Sequence, residues 1–561
     1  MTVATPWSAN YLHPGEWAQD FAPLSVHDMF LQSANRMRDA ALADFMGRKY
    51  SYADMEESVR KFARGLQRRG IGKGDHVGLF LPNVPHYIVA YYGAMLAGAT
   101  VVNFSPLYTV EELAHQVADS GTSLLVTVSA ATLLPTAIKV LDKSGLKGLI
   151  VGSVAEALPT LKGWAYRLFK KADIAPIPSD ERITRFNDFI ANDGVVTQVP
   201  CDPMTDVALL QYTGGTTGTP KGAMLSHQNI TANARQINCL DPHSRTNQPG
   251  NPEADRILGV LPFFHVFANA TVLNRTICNG GEIVMLPRFE ATQALAAITR
   301  THVTSMPGVP TMYQALLDNS ALPKTNFGSL RACISGGAPL AAELKAKFET
   351  VSRSVVIEGY GLTESSGVIS CNPYEGANKL GSIGQPIPAT EVKLADKEDP
   401  TKPAPAGEPG ELLCKGPQIM LGYWNKPEAT AEVFVDGWLR TGDVATIDED
   451  GFIFIVDRLK DMIAVGGFKV FPSQIEDILY QHPAVKEALV IGVPDSYLGE
   501  RPMAFVTLSE GQEADGAEIA NWLNPQLGKH ERVSGVDVRD ALPKTMIGKL
   551  DRKALRAEVG V

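Results

Sequence analysis

The sequence predicts an α/β protein with a large N-terminal domain of parallel sheets flanked by helices, followed by a small α+β domain. Two observations predict this fold class. Helix-like and strand-like segments alternate along most of the 561 residues, which is typical of parallel sheets whose strands are connected by helices. After about residue 460, a shorter run of helices and strands has the size of a separate small domain.

The alternation is clearest in the first third of the chain. Arg60–Arg69 has the apolar spacing of an amphipathic helix, and His86–Leu96 is apolar enough for a buried helix. Short apolar runs predict strands at His76–Leu81, Ala99–Asn103, Ser123–Val128 and Gly148–Val151. Two segments rich in Pro and polar residues predict loops, Pro242–Asp255 and Asp396–Gly410.

The last part of the chain predicts a compact unit of about 100 residues. Its expected elements are the helices Pro472–His482 and Gly516–Leu523 and the strands Ala488–Val493 and Met503–Leu508. We therefore predict two domains, residues 1–459 and residues 460–561.

Composition and charge exclude several classes of protein. Acidic residues outnumber Lys and Arg by 61 to 51, so the chain lacks the basic surface of a nucleic-acid-binding protein. The six cysteines are far apart and form no CxxC pair, which argues against a zinc site and favours free thiols in the cytoplasm. The first residues have neither a basic nor an apolar stretch, so we expect no secretory signal, and without an apolar run of about 18 residues we expect no membrane span. We expect a cytoplasmic protein, and leave open contact with the inner face of the membrane and formation of a homodimer.

The strongest chemical signal is the segment Tyr212–Gly222, YTGGTTGTPKG. Its glycines let backbone amides approach an anion, its threonines add hydroxyl donors, and Lys221 supplies positive charge. A Walker A loop is excluded, because Pro220 precedes the lysine where that motif needs Gly. The segment predicts a phosphate-binding loop; the alternative is a flexible loop without a ligand.

Six further motifs follow along the chain. They are LPFFHVF (Leu261–Phe267), SGGAP (Ser335–Pro339), EGYGLTES (Glu358–Ser365), WLRTGD (Trp438–Asp443), DRLKDMIAVGGFK (Asp457–Lys469) and PKTMIGKLDR (Pro543–Arg552). With the loop, they resemble the signatures of the adenylate-forming enzymes, which include acyl-CoA synthetases, beetle luciferases and peptide-synthetase adenylation domains. The resemblance covers nearly the whole chain, and the segments GPQIMLGYW and VDRLKDMI most resemble bacterial long-chain fatty acyl-CoA synthetases.

This resemblance implies that ATP and coenzyme A are co-substrates and that Mg²⁺ is the cofactor. The residues implied to bind ATP or AMP are Thr213, Gly214, Gly215, Thr216, Thr217, Gly218, Lys221, Gly336, Gly337, Ala338, Glu358, Gly359, Tyr360, Gly361, Leu362, Thr363, Asp443, Arg458, Lys460 and Lys549. Thr213 and Glu364 are the implied Mg²⁺ ligands, in keeping with the preference of Mg²⁺ for few carboxylates and substrate phosphates. The implied catalytic residues are Lys221, Thr363, Glu364 and Lys549.

The implied roles agree with the chemistry of the side chains. Tyr360 offers a face on which adenine can stack, and Asp443 can accept hydrogen bonds from ribose hydroxyls. For Asp443 and Arg458 the alternative is an ordinary salt bridge. Lys549 suits a reaction in which an already ionised carboxylate approaches a phosphate, because positive charge is then needed and a general base is not.

The resemblance also implies a small barrel portion in the large N-terminal domain, acyl and CoA sites, and a moving C-terminal domain. The implied acyl pocket comprises His265, Phe267, Val309, Ala338 and Val368, and the implied CoA passage comprises Gly466, Gly467 and Lys469. Rotation about a hinge at Lys460 would present Lys549 in one pose and the CoA passage in the other. His265 is either part of the pocket or a hydrogen-bonded core histidine. Ala464 departs from the family pattern, in which a second basic residue often occupies this position.

The substrate class follows from the expected pocket. LPFFHVF lacks the Asp that binds an amino acid's amine, and burial of each methylene contributes about 0.8 kcal/mol, so the apolar residues favour a long-chain fatty acid. Aryl, medium-chain and dicarboxylic acids, a luciferase-like oxygenase and an inactive binding protein remain alternatives. Leu161–Lys171, LKGWAYRLFKK, predicts either a surface helix packed on the domain or a helix resting on anionic membrane.

Overall fold

A computed structural model describes the chain apart from residues 1–6, 8–9, 214–219, 243–249, 252–253, 467 and 546–548. The described residues form two compact units. The first contains residues up to Thr390 together with 416–432, and the second contains 391–415 and 433–561. Residues 391–415 and 433–459 therefore group with the C-terminal residues, whereas the sequence placed the division between residues 459 and 460. The hinge at Lys460 stays a prediction.

The first unit contains an eight-stranded sheet with a parallel centre. In spatial order its strands are β19 (Gly422–Tyr423), β9 (Lys221–Ser226), β8 (Val207–Thr213), β4 (Thr100–Asn103), β3 (His76–Leu79), β5 (Leu124–Val128), β6 (Gly148–Gly152) and β7 (Ile183–Arg185). Strands β8 to β7 in this order are parallel, whereas β9 and β19 are antiparallel additions at one edge. The parallel centre agrees with the runs of Val, Leu and Ile that are buried on both faces.

A nine-stranded sheet in the same unit also has a parallel centre. In spatial order its strands are β16 (Gln385–Pro386), β15 (Ser370–Cys371), β14 (Val355–Tyr360), β13 (Ala332–Gly336), β12 (Ser305–Gly308), β10 (Arg256–Gly259), β11 (Glu282–Met285), β1 (Ala41–Phe45) and β2 (Arg48–Ser51). The six strands from β14 to β1 are parallel. Their carboxyl ends consequently share one edge of the sheet.

Helices connect these strands. They are α1 (Val26–Arg36), α2 (Tyr52–Arg68), α3 (Pro85–Leu96), α4 (Val110–Ser120), α5 (Leu134–Lys143), α6 (Val154–Ala157), α7 (Thr160–Phe169), α8 (Phe186–Phe189), α9 (His227–Leu240), α10 (Val266–Ala268), α11 (Arg275–Asn279), α12 (Ala291–Thr301), α13 (Pro310–Leu317), α14 (Ala342–Ser352) and α15 (Pro427–Val433). Helix α2 begins earlier than predicted, because Ser51 and Asp54 form a reciprocal capping box there. Helix α3 is buried on nearly all sides, as its apolar sequence predicts.

The second unit contains two smaller sheets. An antiparallel sheet, where the resemblance implies a small barrel portion, comprises β17 (Glu391–Ala395), β18 (Gly410–Lys415), β20 (Phe434–Val435), β21 (Trp438–Ile447) and β22 (Ile453–Arg458). The other sheet comprises β23 (Ile463–Val465), β24 (Phe468–Val470), β25 (Val485–Asp495), β26 (Gly499–Leu508) and β27 (Val536–Val538). The helices of this unit are α16 (Pro472–Leu479), α17 (Gly516–Leu523) and α18 (Arg552–Val559).

The predicted fold class is confirmed, and so are the principal elements named from the sequence. Asp396–Gly410 connects β17 to β18, as a turn between strands should. The other predicted loop, Pro242–Asp255, lies largely outside the described residues. Within the part of the chain that the structure describes, no helix combines the length and apolarity needed to cross a membrane.

A buried ionic cluster joins the amino ends of several parallel strands. Arg275 is fully buried; it donates to the carboxylate of Asp241, and its guanidinium lies 3.4 Å from the carboxylate of Asp255. Asp255 also accepts from Arg331 and, at 2.9 Å, from the side-chain amide of Asn279. Water hardly reaches Arg275, Asp241 and Asp255, so their charges are stabilised mainly by the other groups of the cluster. Removal of one partner therefore leaves a buried charge without compensation, which lowers the free energy of unfolding.

We predict that Arg275→Ala lowers the free energy of unfolding by about 3–5 kcal/mol, because two buried carboxylates lose a cationic partner. The measurement is urea unfolding followed by tryptophan fluorescence. Arg182→Ala is the control, since Arg182 pairs with Asp180 and Asp142 on the exposed surface and should unfold like the unchanged protein. Equal unfolding midpoints for the two variants would contradict the prediction.

Candidate active site

Three neighbouring parallel strands carry predicted site residues where they end. Strand β12 is followed at once by Val309, β13 ends at Gly336, and β14 ends at Tyr360. The register places Gly336 opposite Gly359. Ligands of open parallel sheets bind beside the carboxyl ends of the strands. The structure therefore brings the motifs SGGAP and EGYGLTES together at an edge suited to binding.

Gly336 and Gly337 are glycines for different reasons. A Cβ on Gly336 would lie 2.9 Å from the ring of Phe267, so a side chain there would displace the aromatic ring. Gly337 is exposed and has a φ of 85°, which residues other than glycine rarely adopt. The neighbouring Ala338 is partly exposed. Phe267, which is predicted for the acyl pocket, thus contacts Gly336, which is predicted for the adenine site.

The predicted acyl-pocket residues Phe267 and Val368 belong to one apolar cluster. Phe267 packs on a group of buried side chains, namely Ile237, Leu240, Ala270, Ala332, Ile334, Ile357, Val368, Cys371, Tyr374 and Ile387. Val309 is also buried. His265 precedes helix α10, and its Nδ1 accepts from the backbone N–H of Phe267 at 3.3 Å. His265 is thus a local capping residue, while its role in a pocket stays a prediction.

Glu358 is a buried carboxyl group on strand β14. Its Oε2 accepts a hydrogen bond from the backbone N–H of Leu340, at 3.3 Å. Burial raises the pKa of Glu358 to about 7, against the opposing effects of this hydrogen bond and of Lys345. The group is consequently largely protonated below neutral pH.

The turn after β14 is built around a close backbone contact. A Cβ on Gly361 would lie 1.7 Å from the carbonyl oxygen of Gly367, so only glycine fits. The backbone N–H of Leu362 donates to the hydroxyl of Ser365 at 2.9 Å, and Thr363 begins a short 3₁₀ turn. The missing side chain at Gly361 is therefore required by the turn itself, a reason that the sequence did not reveal.

Tyr423 links two predicted catalytic residues. Its hydroxyl donates to Glu364 Oε1 at 2.6 Å, and Lys221 Nζ lies 5.1 Å from the centroid of its ring. Burial and the Glu364 carboxylate both raise the pKa of Tyr423. Thr213 lies opposite Lys221 in the β8–β9 pair. Lys221, Glu364 and Thr213 are thus connected through Tyr423 and the β8–β9 pairing, while their roles in binding and catalysis stay predictions.

Sequence reasoning missed Tyr423. It lies in GPQIMLGYW, a segment whose sequence resembles a subfamily but has no pattern that indicates a binding residue. The structure pairs it with Ala223, close to Lys221 in the sequence. The predicted phosphate-binding residues Gly214, Gly215, Thr216, Thr217 and Gly218 lie outside the described residues.

Asp443, Arg458 and Lys549 interact within the second unit. Asp443 and Arg458 are cross-strand neighbours on β21 and β22, and Arg458 Nε lies 3.2 Å from Asp443 Oδ1. Burial and the charge of Arg458 lower the pKa of Lys549 to about 8, whereas Asp443 opposes this change. Asp443 and Arg458 thus form a salt bridge with each other, and the charges of both affect the pKa of Lys549.

The residue after the predicted hinge is anchored by two arginines that the sequence did not single out. Asp461 is buried, and its carboxylate lies 3.8 Å from Arg552 and 3.6 Å from Arg556. Arg552 also pairs with Glu476, at 2.5 Å. Arg552 begins helix α18, three positions after Lys549, so this ion network connects the segment of Lys549 to Asp461.

The predicted CoA residues lie on the hairpin of β23 and β24. Gly466 has a φ of 57°, which suits the tight turn between these strands. Gly467 lies outside the described residues. Lys469 Nζ forms an ion pair with Glu398 Oε1 at 3.2 Å. These observations explain the hairpin, and binding of CoA there stays a prediction.

Comparison with known proteins matches two successive parts of the chain to sequence profiles. A sequence profile of AMP-binding enzymes matches residues 30–424, and a profile of the AMP-binding enzyme C-terminal domain matches residues 474–549. A long-chain-fatty-acid–CoA ligase of Bacillus subtilis is 39% identical over 561 residues, which is 100% of this chain and 99% of the relative. A feruloyl-CoA synthase of an Amycolatopsis species is 36% identical over 92% of this chain and 95% of the relative. The crystal structure of ATP-bound MatB from Rhodopseudomonas palustris has a TM-score of 0.82 and 28% identity, and the match covers 95% of this chain and 99% of that one.

We predict that Glu358→Gln gains stability relative to the unchanged protein as pH rises from 5 to 8. An unfolded glutamate ionises near its ordinary pKa of 4.5, whereas folded Glu358 keeps its proton until about 7. The folded state therefore binds more protons in this interval, and its stability falls with rising pH. Between pH 5 and pH 8 the unchanged protein therefore loses about 2–3 kcal/mol of its free energy of unfolding, and the glutamine variant does not.

The measurement for this variant is the unfolding midpoint at pH 5 and pH 8. Glu343→Gln is the control, because the Glu343 side chain is 79% exposed and its pKa is lowered by Lys347. A difference between unchanged protein and Glu358→Gln that stays constant with pH would refute a raised pKa.

Proposed function

The chain belongs to the family of AMP-binding enzymes, and on this premise we propose that it is a long-chain fatty acid–CoA ligase. The proposal rests on similarity to long-chain-fatty-acid–CoA ligases over the whole chain. In the proposed reaction, ATP activates the acid as an acyl-adenylate and coenzyme A takes over the acyl group. ATP and coenzyme A are the co-substrates that the family implies.

The first half-reaction joins two anions. A fatty acid is ionised near neutral pH, by analogy with Asp and Glu, so its carboxylate oxygen attacks the α-phosphorus without a general base, and diphosphate leaves. Lys221 and Lys549 supply positive charge to the developing transition state. With a pKa of about 8, Lys549 is mostly protonated at pH 7. Thr363 lies beside Glu364 in the turn that holds this carboxylate.

Mg²⁺ fits the oxygen atoms of Glu364 and Thr213. Glu364 gives one carboxylate oxygen to the Tyr423 hydroxyl, and a carboxylate retains acceptor sites beyond one such bond. A carboxylate and a hydroxyl are hard ligands of the kind that Mg²⁺ prefers alongside substrate phosphates. When bound, the ion neutralises phosphate charge; Tyr423 holds the carboxylate in place.

The second half-reaction transfers the acyl group. The thiolate of coenzyme A attacks the acyl carbonyl carbon, and AMP leaves with the electrons of the broken C–O bond. In the proposal, Asp443 and Arg458 hold the ribose and phosphate, Lys460 is the hinge, and the β23–β24 hairpin with Lys469 lines the thiol's passage. The cytoplasm is the proposed compartment, which suits the fact that none of the six cysteines, all of them among the described residues, forms a disulfide.

The acyl chain is proposed to lie beside Phe267, Val309 and Val368. Phe267 and Val368 share a buried apolar cluster, and each methylene taken from water contributes about 0.8 kcal/mol. An aryl acid is the second candidate substrate, favoured by the 36% identity to a feruloyl-CoA synthase. Aromatic acids would exploit the same apolar walls.

The proposed function is tested by measuring AMP and acyl-CoA formation from ATP, Mg²⁺ and coenzyme A. Acids of C4, C8, C12, C16 and C18 and ferulate are compared at equal concentration. We expect the highest kcat/KM with the long-chain acids. A maximum with ferulate would assign an aryl acid instead, and formation of no acyl-CoA with any acid would overturn the ligase proposal.

We predict that Lys549→Ala lowers the rate of acyl-adenylate formation at least a hundredfold, because a charge that meets the transition state is lost. Conversion of supplied acyl-adenylate and coenzyme A to thioester should stay within about threefold of the original rate. Lys553→Ala is the matched control, since Lys553 is exposed in the same segment. Equal losses in both half-reactions would contradict the proposal that Lys549 serves adenylation in one pose of the C-terminal domain and is absent from the site in the other.

We predict that Glu364→Gln raises the Mg²⁺ concentration needed for half-maximal adenylation at least tenfold, because a neutral amide binds this ion weakly. Tyr423→Phe is the comparison variant: it removes only the hydrogen bond to Glu364 and should have the smaller effect. The measurement is a Mg²⁺ titration of diphosphate release. An unchanged Mg²⁺ requirement in Glu364→Gln would exclude Glu364 as a ligand.

A further inference from the structure

Helix α7 presents large apolar side chains to solvent. The exposed fractions are 84% for Leu161, 66% for Trp164, 45% for Leu168 and 76% for Phe169. At about 100° per residue, Leu161, Trp164 and Leu168 lie within about 60° of one another on the helix. Soluble proteins rarely expose contiguous patches of large apolar residues without an interaction partner. We call these four side chains the α7 apolar face.

The opposite side of helix α7 packs on the first unit. Gly163 is the helix residue that is buried, and a Cβ there would lie 2.3 Å from the carbonyl oxygen of Ala155. The small residue lets the helix approach α6 closely. Leu161 lies about 160° around the helix from Gly163. The usual arrangement of a surface helix, with its apolar stripe inward, is thus reversed.

Basic residues flank the α7 apolar face. Lys162, Arg167, Lys170 and Lys171 are exposed, and the segment from 160 to 172 contains no acidic residue. Arg167 pairs with Glu156, and Lys162 donates to the carbonyl of Met46. Among the described residues, no carboxylate pairs with Lys170 or Lys171. This concentration of positive charge is local, because the whole chain has a net charge of −10.

We propose that the α7 apolar face is the surface by which this protein docks on an anionic lipid membrane. Apolar residues on the outer side of a helix and Lys or Arg beside them are the features of interfacial helices, which insert their apolar face at the level of the headgroups. Each nearby basic residue adds attraction to anionic lipid. The inference deepens the proposed function and rests on it for its purpose, since long-chain acids partition into membranes.

The size and charge of the face favour lipid over a second copy of this chain. A standard protein interface uses about 20–30 residues from each partner, whereas the α7 apolar face comprises four side chains. A symmetric pair of chains would also bring Lys170 and Lys171 close to the same lysines of the other copy, where like charges repel. In an anionic membrane, the headgroups would pair with the basic side chains and the upper part of the acyl chains would contact the apolar side chains.

The test is cosedimentation of the full chain with vesicles, without ATP, coenzyme A or acid. Vesicles contain equal amounts of phosphatidylglycerol and phosphatidylcholine, or phosphatidylcholine alone. We expect at least tenfold tighter binding to the anionic vesicles. The variant Leu161→Ser/Trp164→Ser/Leu168→Ser/Phe169→Ser should lose binding at least tenfold, and Lys170→Gln/Lys171→Gln should lose the preference for anionic lipid.

Matched controls distinguish binding through the α7 apolar face from non-specific hydrophobic adsorption to vesicles. Tyr497→Ser and Leu107→Ser remove apolar side chains that are 92% and 64% exposed elsewhere, and both should bind vesicles like the unchanged protein. Trp164 supplies a second measurement: its fluorescence should shift to the blue on anionic vesicles, and the shift should be absent in Trp164→Phe. Equal vesicle binding by the four-residue variant and the unchanged protein would overturn the proposal.

The remaining outcomes distinguish docking from catalysis. A dimer that dissociates only in the four-residue variant, without vesicle binding by either protein, would assign the face to a homodimer and overturn the proposal. The four-residue variant should keep the unchanged kcat/KM for a water-soluble C8 acid and lose activity only with acid presented in vesicles. Vesicle binding is measured without substrates, so failure of the ligase proposal would leave the binding result interpretable.

Discussion

The carboxylate of Asp255 is the constraint on which the candidate site depends. It is buried before β10 and is bound by Arg331, which precedes β13, and by Arg275 and Asn279 of α11. Its backbone carbonyl accepts from Glu282 at the start of β11, at 2.8 Å. Charges buried in this way fix the amino ends of neighbouring strands against one another. Because the strands are parallel and short, their other ends are then aligned, and the site residues at those ends are aligned with them.

Main-chain packing shapes the site as much as its charged side chains do. Gly336 has no side chain, so the ring of Phe267 can reach the end of β13, and Gly361 has none, so the turn that carries Glu364 can close on the carbonyl of Gly367. Tyr423 then joins Glu364 to the strand that begins at Lys221. A short network of backbone contacts and one tyrosine therefore fixes two charged groups of opposite sign.

The sequence was most informative where function concentrates residues locally. YTGGTTGTPKG and EGYGLTES identify Lys221 and Glu364 because each motif is a short, continuous run of residues in the sequence. The sequence does not indicate Tyr423, because its partner Glu364 is distant in the sequence and a single tyrosine forms no pattern. Arg552 is not indicated for the same reason, since its partner Glu476 is also distant. For α7 the sequence indicated an amphipathic helix, but periodicity cannot say which side faces the protein; the close contact at Gly163 decides it. Contacts between separate elements, rather than the periodicity of one element, determine each of these features.

The contact between Phe267 and Gly336 has a consequence for the evolution of related enzymes. In the proposed ligase, Phe267 borders the acyl chain while its ring also touches the end of β13, beside the expected adenine site. If adenine binds at the end of β13 as proposed, a substitution that reshapes this wall for a shorter or bulkier acid would also change the packing beside the nucleotide. Selectivity for the acid and affinity for ATP would then be epistatic, and lineages that change one substrate would gain from compensating substitutions around the other.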